Sequence, residues 1–321
     1  MKLKRLTACI LAGAMAMSVA LSGCGSIDAD AVGATLNGKE ISLGQMNFIA
    51  RYQQAIMDAS YLSYFGTDMW KSEISEGTTM EENTKQSVAD SIEIMYLLEE
   101  HMADYGVEIT EDELASMDEA AKQFMADNSK KAIKQLGATE EYVKEMLRLY
   151  TIQKKMSDAI QEETEITVTD EDAAQRTFSY FEVAVEGSEQ AKVEAAARAA
   201  KEDFDGTAKS NEYEVKTYSY GSDESGMDEA VIKAADALKE GEVSDLITTE
   251  KNYYVLRLDS ELDEKATASK KEELIEKQKS DHYTEVTDGY KEAAEFELNE
   301  KAWATVKFNR LFGVAAEDTK E

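Results

Sequence analysis

The C-terminal stretch Glu295–Phe308, EFELNEKAWATVKF, carries Trp303, Val306 and Phe308 but too few other apolar residues to enclose them. Large apolar side chains must be removed from water against something, so this tail needs a core made elsewhere in the chain. The helical segments at the other end are the natural partner. Ser42 with Gln45 opens a helix carrying Leu43, Met46, Ile49 and Ile56. A second starts near Thr79 and Glu82, carries Val88, Ile92, Met95, Leu98 and Met102, and stops at Gly106. Thr110 with Glu113 opens a third, with Leu114, Met117, Ala121 and Phe124 along one face. A fourth follows in LGATEEYVKEMLRLYTIQKKM, with Val143, Met146, Leu147 and Tyr150 on its apolar side. A short strand, Val32–Leu36, and an Asn37-Gly38 turn precede them.

Near Ile166 the pattern changes. A strand is expected at Phe178–Val185, an Ala-rich helix from Ser188 to about Asp203, and a strand at Val215–Tyr220. A short helix at Met227–Leu238 and a hairpin, GEVSDLITTEKNYYVLRLDS, complete a β-α-β-α-β unit whose last strand is Tyr253–Leu258. From Asp263 the chain reads as helical to its end, with Leu274, Tyr283, Val286, Tyr290 and Ala293 spaced for one face. The expected fold is therefore α+β: a mostly helical domain from residues 34–165 plus 262–312, with residues 166–261 inserted into it.

The N-terminus bounds the compartment. Lys2, Lys4 and Arg5 precede an apolar run, Leu6–Leu21, too short for a comfortable membrane span, so residues 1–23 read as a signal peptide. Leu21-Ser22-Gly23-Cys24 resembles the lipobox of bacterial lipoproteins, which implies lipid on Cys24 and an anchor on the outer face of the cell membrane. Residues 24–33 would be a tether and 313–321 an acidic tail. Cys9 lies inside the signal, so no second thiol remains for a disulfide or a nucleophile. After residue 23 there are 66 acidic and 32 basic residues, a charge near −34. That argues against nucleic acid and against a polybasic contact with anionic lipid. The chain has no proline, so it has no prolyl bond of its own to limit folding.

Three stretches, taken with the lipobox, resemble the extracytoplasmic parvulin-type foldases, the PrsA-type lipoproteins and SurA-type chaperones. They are VGATLNGKEISLGQMNF, then GATEEYVKEMLRLYTIQKKM running on to ITVTDED, and MDEAVIKAADALKEGEVSDLITTEKNYYVLRLDS. The resemblance implies a helical chaperone domain holding a parvulin-like peptidyl-prolyl isomerase domain over residues 166–261. Its clients would be unfolded or newly secreted polypeptides, and no cofactor or metal is implied. The family's site has one His on the first strand and another on the last. Here Tyr180 and Tyr254 stand at those positions. Met227 matches the pocket Met, and Val231 stands where Phe is usual. The segment that normally carries an Asp or Cys is shortened to DGTAKSNEYEVKTYSYG and offers no clear counterpart.

Three functions follow from these features: a prolyl isomerase, a non-catalytic holdase of the same architecture, or a structural or adhesive surface lipoprotein. Trp70, Met80 and the Tyr61–Tyr64 region are either core or the lining of a groove for unfolded chains. His101 and His282, the chain's two histidines, lie outside the inserted unit and lack metal-ligand spacing. Oligomeric state is not encoded in any motif.

Overall fold

The computed structural model describes residues 27–222 and 226–313; the expected signal peptide, residues 1–23, and Cys24 lie outside them. The chain divides into two compact units, one from Met1–Glu163 with His282–Glu321 and the other Thr164–Asp281.

In the first unit, strand β1 (Val32–Leu36) turns through Asn37 and Gly38, both at positive φ (48° and 82°), into β2 (Lys39–Ser42). This is the left-handed pair that a two-residue hairpin demands. Helix α1 (Leu43–Phe65) starts where the Ser42 hydroxyl accepts the Gln45 amide at 3.2 Å. Only half of the expected reciprocal box forms, because the Gln45 side chain donates to the Tyr142 carbonyl instead. A small hairpin, β3 (Glu73–Ser75) and β4 (Thr78–Thr79), leads into α2 (Met80–Glu100). The Thr79–Glu82 box caps α2, and the Thr110–Glu113 box caps α3 (Glu111–Asp127). Gly106 is indeed a stop, but it ends a 3₁₀ turn, Met102–Tyr105, that follows α2. Helix α4 (Lys130–Leu136), between Ser129 and left-handed Gly137, precedes α5 (Glu140–Glu162).

The second unit comprises α6 (Asp170–Ala173), β5 (Arg176–Ala184), α7 (Gln190–Ala200), α8 (Phe204–Ser210), β6 (Lys216–Tyr220), α9 (Glu229–Asp236), β7 (Ile247–Thr248) and β8 (Asn252–Ser260). The single Ala-rich helix expected to Asp203 is in fact two. Asp203 leaves the helical conformation and its carboxylate accepts the Gly206 amide, so the residue expected to end one helix starts the next. Helix α10 (Glu264–Ala293) spans the boundary between the units. The division falls inside it rather than before it, because its first turns are bonded to unit 2. Asp263 N–H reaches the Gln175 carbonyl at 2.8 Å, and Lys271 pairs with Asp170 at 2.6 Å.

The tail is not helical throughout. Strand β9 (Phe296–Leu298) pairs antiparallel with β1, giving a sheet in the order β2-β1-β9, and a single turn, α11 (Glu300–Trp303), follows. The free edge of β1 supplies partners that three residues cannot supply alone. Trp303, Val306 and Phe308 pack into the N-terminal core beside Met46, Phe48, Trp70 and Ile92. Trp70 is 3% exposed and belongs to that core, and Met80 packs against it. Tyr64, at 81%, faces solvent. On α10, Tyr283, Val286 and Tyr290 pack against Leu98, Ile152, Met156 and Ile160, whereas Leu274 belongs to unit 2.

Candidate active site

Unit 2 is built on one antiparallel sheet in the order β6-β5-β8-β7. Successive side chains on a strand point to opposite faces, so β5 and β8 each supply two layers. Phe178, Tyr180, Tyr254, Leu256 and Leu258 form one layer with Tyr220, and Val231 and Ala235 of α9 pack on it. Phe181 and Val255 form the other, against Ala197 and Ala200 of α7 and Phe204 and Ala208 of α8. Burial on both faces explains the near-continuous apolar run in NYYVLRL.

The hairpin before β8 is tied along its length. Ser244 donates its N–H to the Leu256 carbonyl at 2.8 Å, and its hydroxyl accepts the Leu256 N–H at 3.1 Å. Tyr254 then lies opposite Ile247 on one side and Glu182 on the other. Tyr180 lies opposite Leu256 and Lys216. The two tyrosines expected at the site therefore share a face. Their ring centroids are 6.0 Å apart, inclined at 45°, and both residues are below one-tenth exposed.

Their hydroxyls differ. The Tyr254 hydroxyl accepts from Asn252 Nδ2 at 3.2 Å, and its residue faces Glu182 across the β5–β8 ladder. Lys216 Nζ, 2.8 Å from Glu182, holds that carboxyl below its usual range. The Tyr180 hydroxyl has no hydrogen-bond partner among the described residues. Burial pushes both phenols above their ordinary value, so both stay protonated at neutral pH. Deeper in the same layer, Tyr220 donates to Asp236 at 3.0 Å and its phenol is pushed up to about 12, chiefly by burial. The layer thus offers an apolar floor bearing the neutral phenols of Tyr180 and Tyr254.

Met227 precedes α9 instead of starting it, because Asp228 is the cap, its carboxylate accepting the Ala230 N–H at 2.9 Å. It packs half-buried against the floor. Val231 is fully enclosed beneath the helix. Glu182, Lys216 and Asn252 were not foreseen, although Glu182 stands two residues from Tyr180 and therefore on its face. Neither histidine enters this unit. His101 bonds Asp104 through Nδ1 at 2.7 Å and stacks on Tyr290 with centroids 3.7 Å apart.

Residues 169–271 match the family model described as the PPIC-type PPIASE domain. The chain carries a PPIC-type domain. Over 172 residues it is also 29% identical to foldase protein PrsA of Streptococcus gordonii, a match covering 48% of this chain and 55% of that protein. The chain thus spans about half the length of this curated relative. Among solved structures it is similar to foldase protein PrsA from Lactococcus lactis, at 18% identity and a TM-score of 0.35, over 86% of this chain and 97% of that one. It is also similar to a Campylobacter jejuni structure from work on PEB4 and Cj1289, described as SurA-like chaperones. That match has 12% identity and a TM-score of 0.32, over 84% of this chain and 99% of that one. In the PPIC-type domain of this chain, the tyrosine pair, Met227 and Val231 all meet in one layer.

Proposed function

We propose that this protein is an extracytoplasmic folding factor, lipid-anchored through Cys24, whose PPIC-type domain accelerates cis–trans isomerisation of prolyl bonds in newly secreted polypeptides. The observation that carries this reading is the Tyr180 hydroxyl, without a hydrogen-bond partner among the described residues, on the apolar layer of that domain. Rotation about an amide bond faces a barrier of about 18–20 kcal/mol, and catalysis requires the twisted state to be bound better than the planar one. A twisted amide is less dipolar than a planar one, so apolar surroundings favour it, and a neutral donor can reach the substrate without a charge being buried. No covalent step is involved. Tyr180 supplies the donor, Met227 the apolar wall, and Tyr254 is held in place by Asn252.

The test follows isomerisation of a proline-containing peptide, with Tyr180→Phe and Met227→Ala as controls. Acceleration that falls in both variants is expected; a rate equal to the uncatalysed one would remove the enzymatic reading. For the anchor, Cys24→Ala protein should lose its partition into membranes. No helix among the described residues is long and apolar enough to cross one.

A holdase without catalysis is favoured by a separate observation, the exposed Ile56, Tyr61, Tyr64 and Phe65 on α1. Suppressed aggregation of an unfolded client with no isomerisation would select that reading.

A further inference from the structure

After α11, residues 306–312, VKFNRLF, run as irregular chain through the core of unit 1. Side chains of that unit meet five of the segment's carbonyls and the Phe312 N–H. Lys85 Nζ donates to the Val306 carbonyl at 2.9 Å. Arg51 donates to the carbonyls of Lys307 at 2.7 Å and Arg310 at 3.0 Å. Gln54 reaches those of Phe308 at 3.3 Å and Arg310 at 3.1 Å. Gln135 reaches Arg310 at 3.2 Å and Leu311 at 3.1 Å. Asp58 accepts the Phe312 N–H at 2.8 Å.

The segment's side chains alternate in burial, with Arg310 and Leu311 intermediate. Val306, Phe308 and Phe312 are enclosed, while Lys307 and Asn309 face solvent. Trp70 meets the Phe308 ring edge-on at 4.7 Å, and the Arg51 guanidinium lies 4.9 Å over the Phe312 ring. Strand β9, by contrast, is held main chain to main chain. Holding the last segment through buried Arg51, Gln54 and Asp58 carries a desolvation cost that plain apolar packing would not. Gln135 also keeps a buried carbonyl oxygen without a partner. Recognition of carbonyls, with apolar side chains in pockets and the intervening ones ignored, is how clefts bind extended peptides of varied sequence. Beyond Asp58 the same helix presents Tyr61, Tyr64 and Phe65 to solvent, an apolar approach to the cleft.

We propose that this cleft is a binding site for extended segments of unfolded polypeptides bearing apolar side chains in the 306, 308, 312 spacing, and that the chain's own segment fills it as a displaceable plug. The site lies wholly in unit 1 and needs no prolyl isomerisation, so it and the isomerase reading can fail separately.

The probe is a fluorescein-labelled, proline-free peptide copying residues 304–313, added to the full-length protein. Apparent affinity falls with the fraction of molecules whose cleft is open, so Phe312→Ala, which loosens the plug, should tighten peptide binding by about 10-fold. A control peptide with both phenylalanines changed to alanine should not bind. In the unaltered protein, excess peptide should speed amide hydrogen exchange across 306–312 while the rest of unit 1 is unchanged. Exchange in 306–312 that stays the same at high peptide concentration would overturn the proposal, even if Phe312→Ala fails to fold. So would a loosened protein that forms dimers by exchanging tails instead of capturing peptide.

Discussion

Glu182 and Tyr254 face each other in the β5–β8 ladder, and the Tyr254 hydroxyl accepts a bond from Asn252 Nδ2 at 3.2 Å. That bond makes the two tyrosines inequivalent, since the Tyr180 hydroxyl has no hydrogen-bond partner among the described residues. Tyr180→Phe should lower kcat/KM for a prolyl peptide by roughly 10-fold, about 1.4 kcal/mol of transition-state stabilisation. Tyr254→Phe should cost clearly less. The reverse ranking would show that the wrong hydroxyl has been assigned to substrate.

The acid–base behaviour of the site follows from its residues. No histidine lies in unit 2, so isomerisation should show no inflection between about pH 6 and 9. Glu182 has a depressed folded pKa, chiefly through its bond from Lys216. Its stabilising contribution is therefore present above the unfolded value and lost as pH falls through the folded one. Lys216 is 41% exposed, so that contribution is small. A pH–rate profile recorded with one peptide checks this directly.

Asp58 accepts both Trp70 Nε1, at 2.7 Å, and the Phe312 N–H. An amide cannot accept both without turning its own NH₂ against one of them. Asp58→Asn should destabilise unit 1 by roughly 2–4 kcal/mol. The chain's two tryptophans, Trp70 and Trp303, both lie in that unit, so fluorescence in a urea titration isolates its transition.

Val231 and Met227 should separate in their effects. Val231→Ala opens a cavity in a fully enclosed position and should cost about 2 kcal/mol of unit 2 stability. Met227→Ala, at a half-buried wall, should raise KM with little loss of stability. Circular dichroism melts beside the peptide assay distinguish them.

Legibility in the sequence followed the range of the forces involved. The caps at Thr79 and Thr110 and the periodicity of α2, α3 and α5 are local and could be read directly. Strand β9 is three residues long and exists because β1 has a free edge far away in sequence, which no local pattern encodes. In α1, the apolar face carried no signal for Arg51, Gln54 and Asp58, which are buried where the distant segment 306–312 bonds to them. At the site, Tyr180 and Tyr254 were found through resemblance and alternation. Glu182 was missed because a lone acid in an apolar strand reads as solvent-facing.

The pairing of Ala34 with Leu298 also sets an order of events. A ribosome makes β1 before β9, with every residue of the PPIC-type domain between them. That domain's whole sequence is available to fold while the helical unit still lacks an edge strand and the residues that seal its core. Arrested synthesis before Phe296 would leave β1 with an open edge and the Trp70 pocket without Phe308, a hazard for aggregation that synthesis of β9 and the segment after it removes.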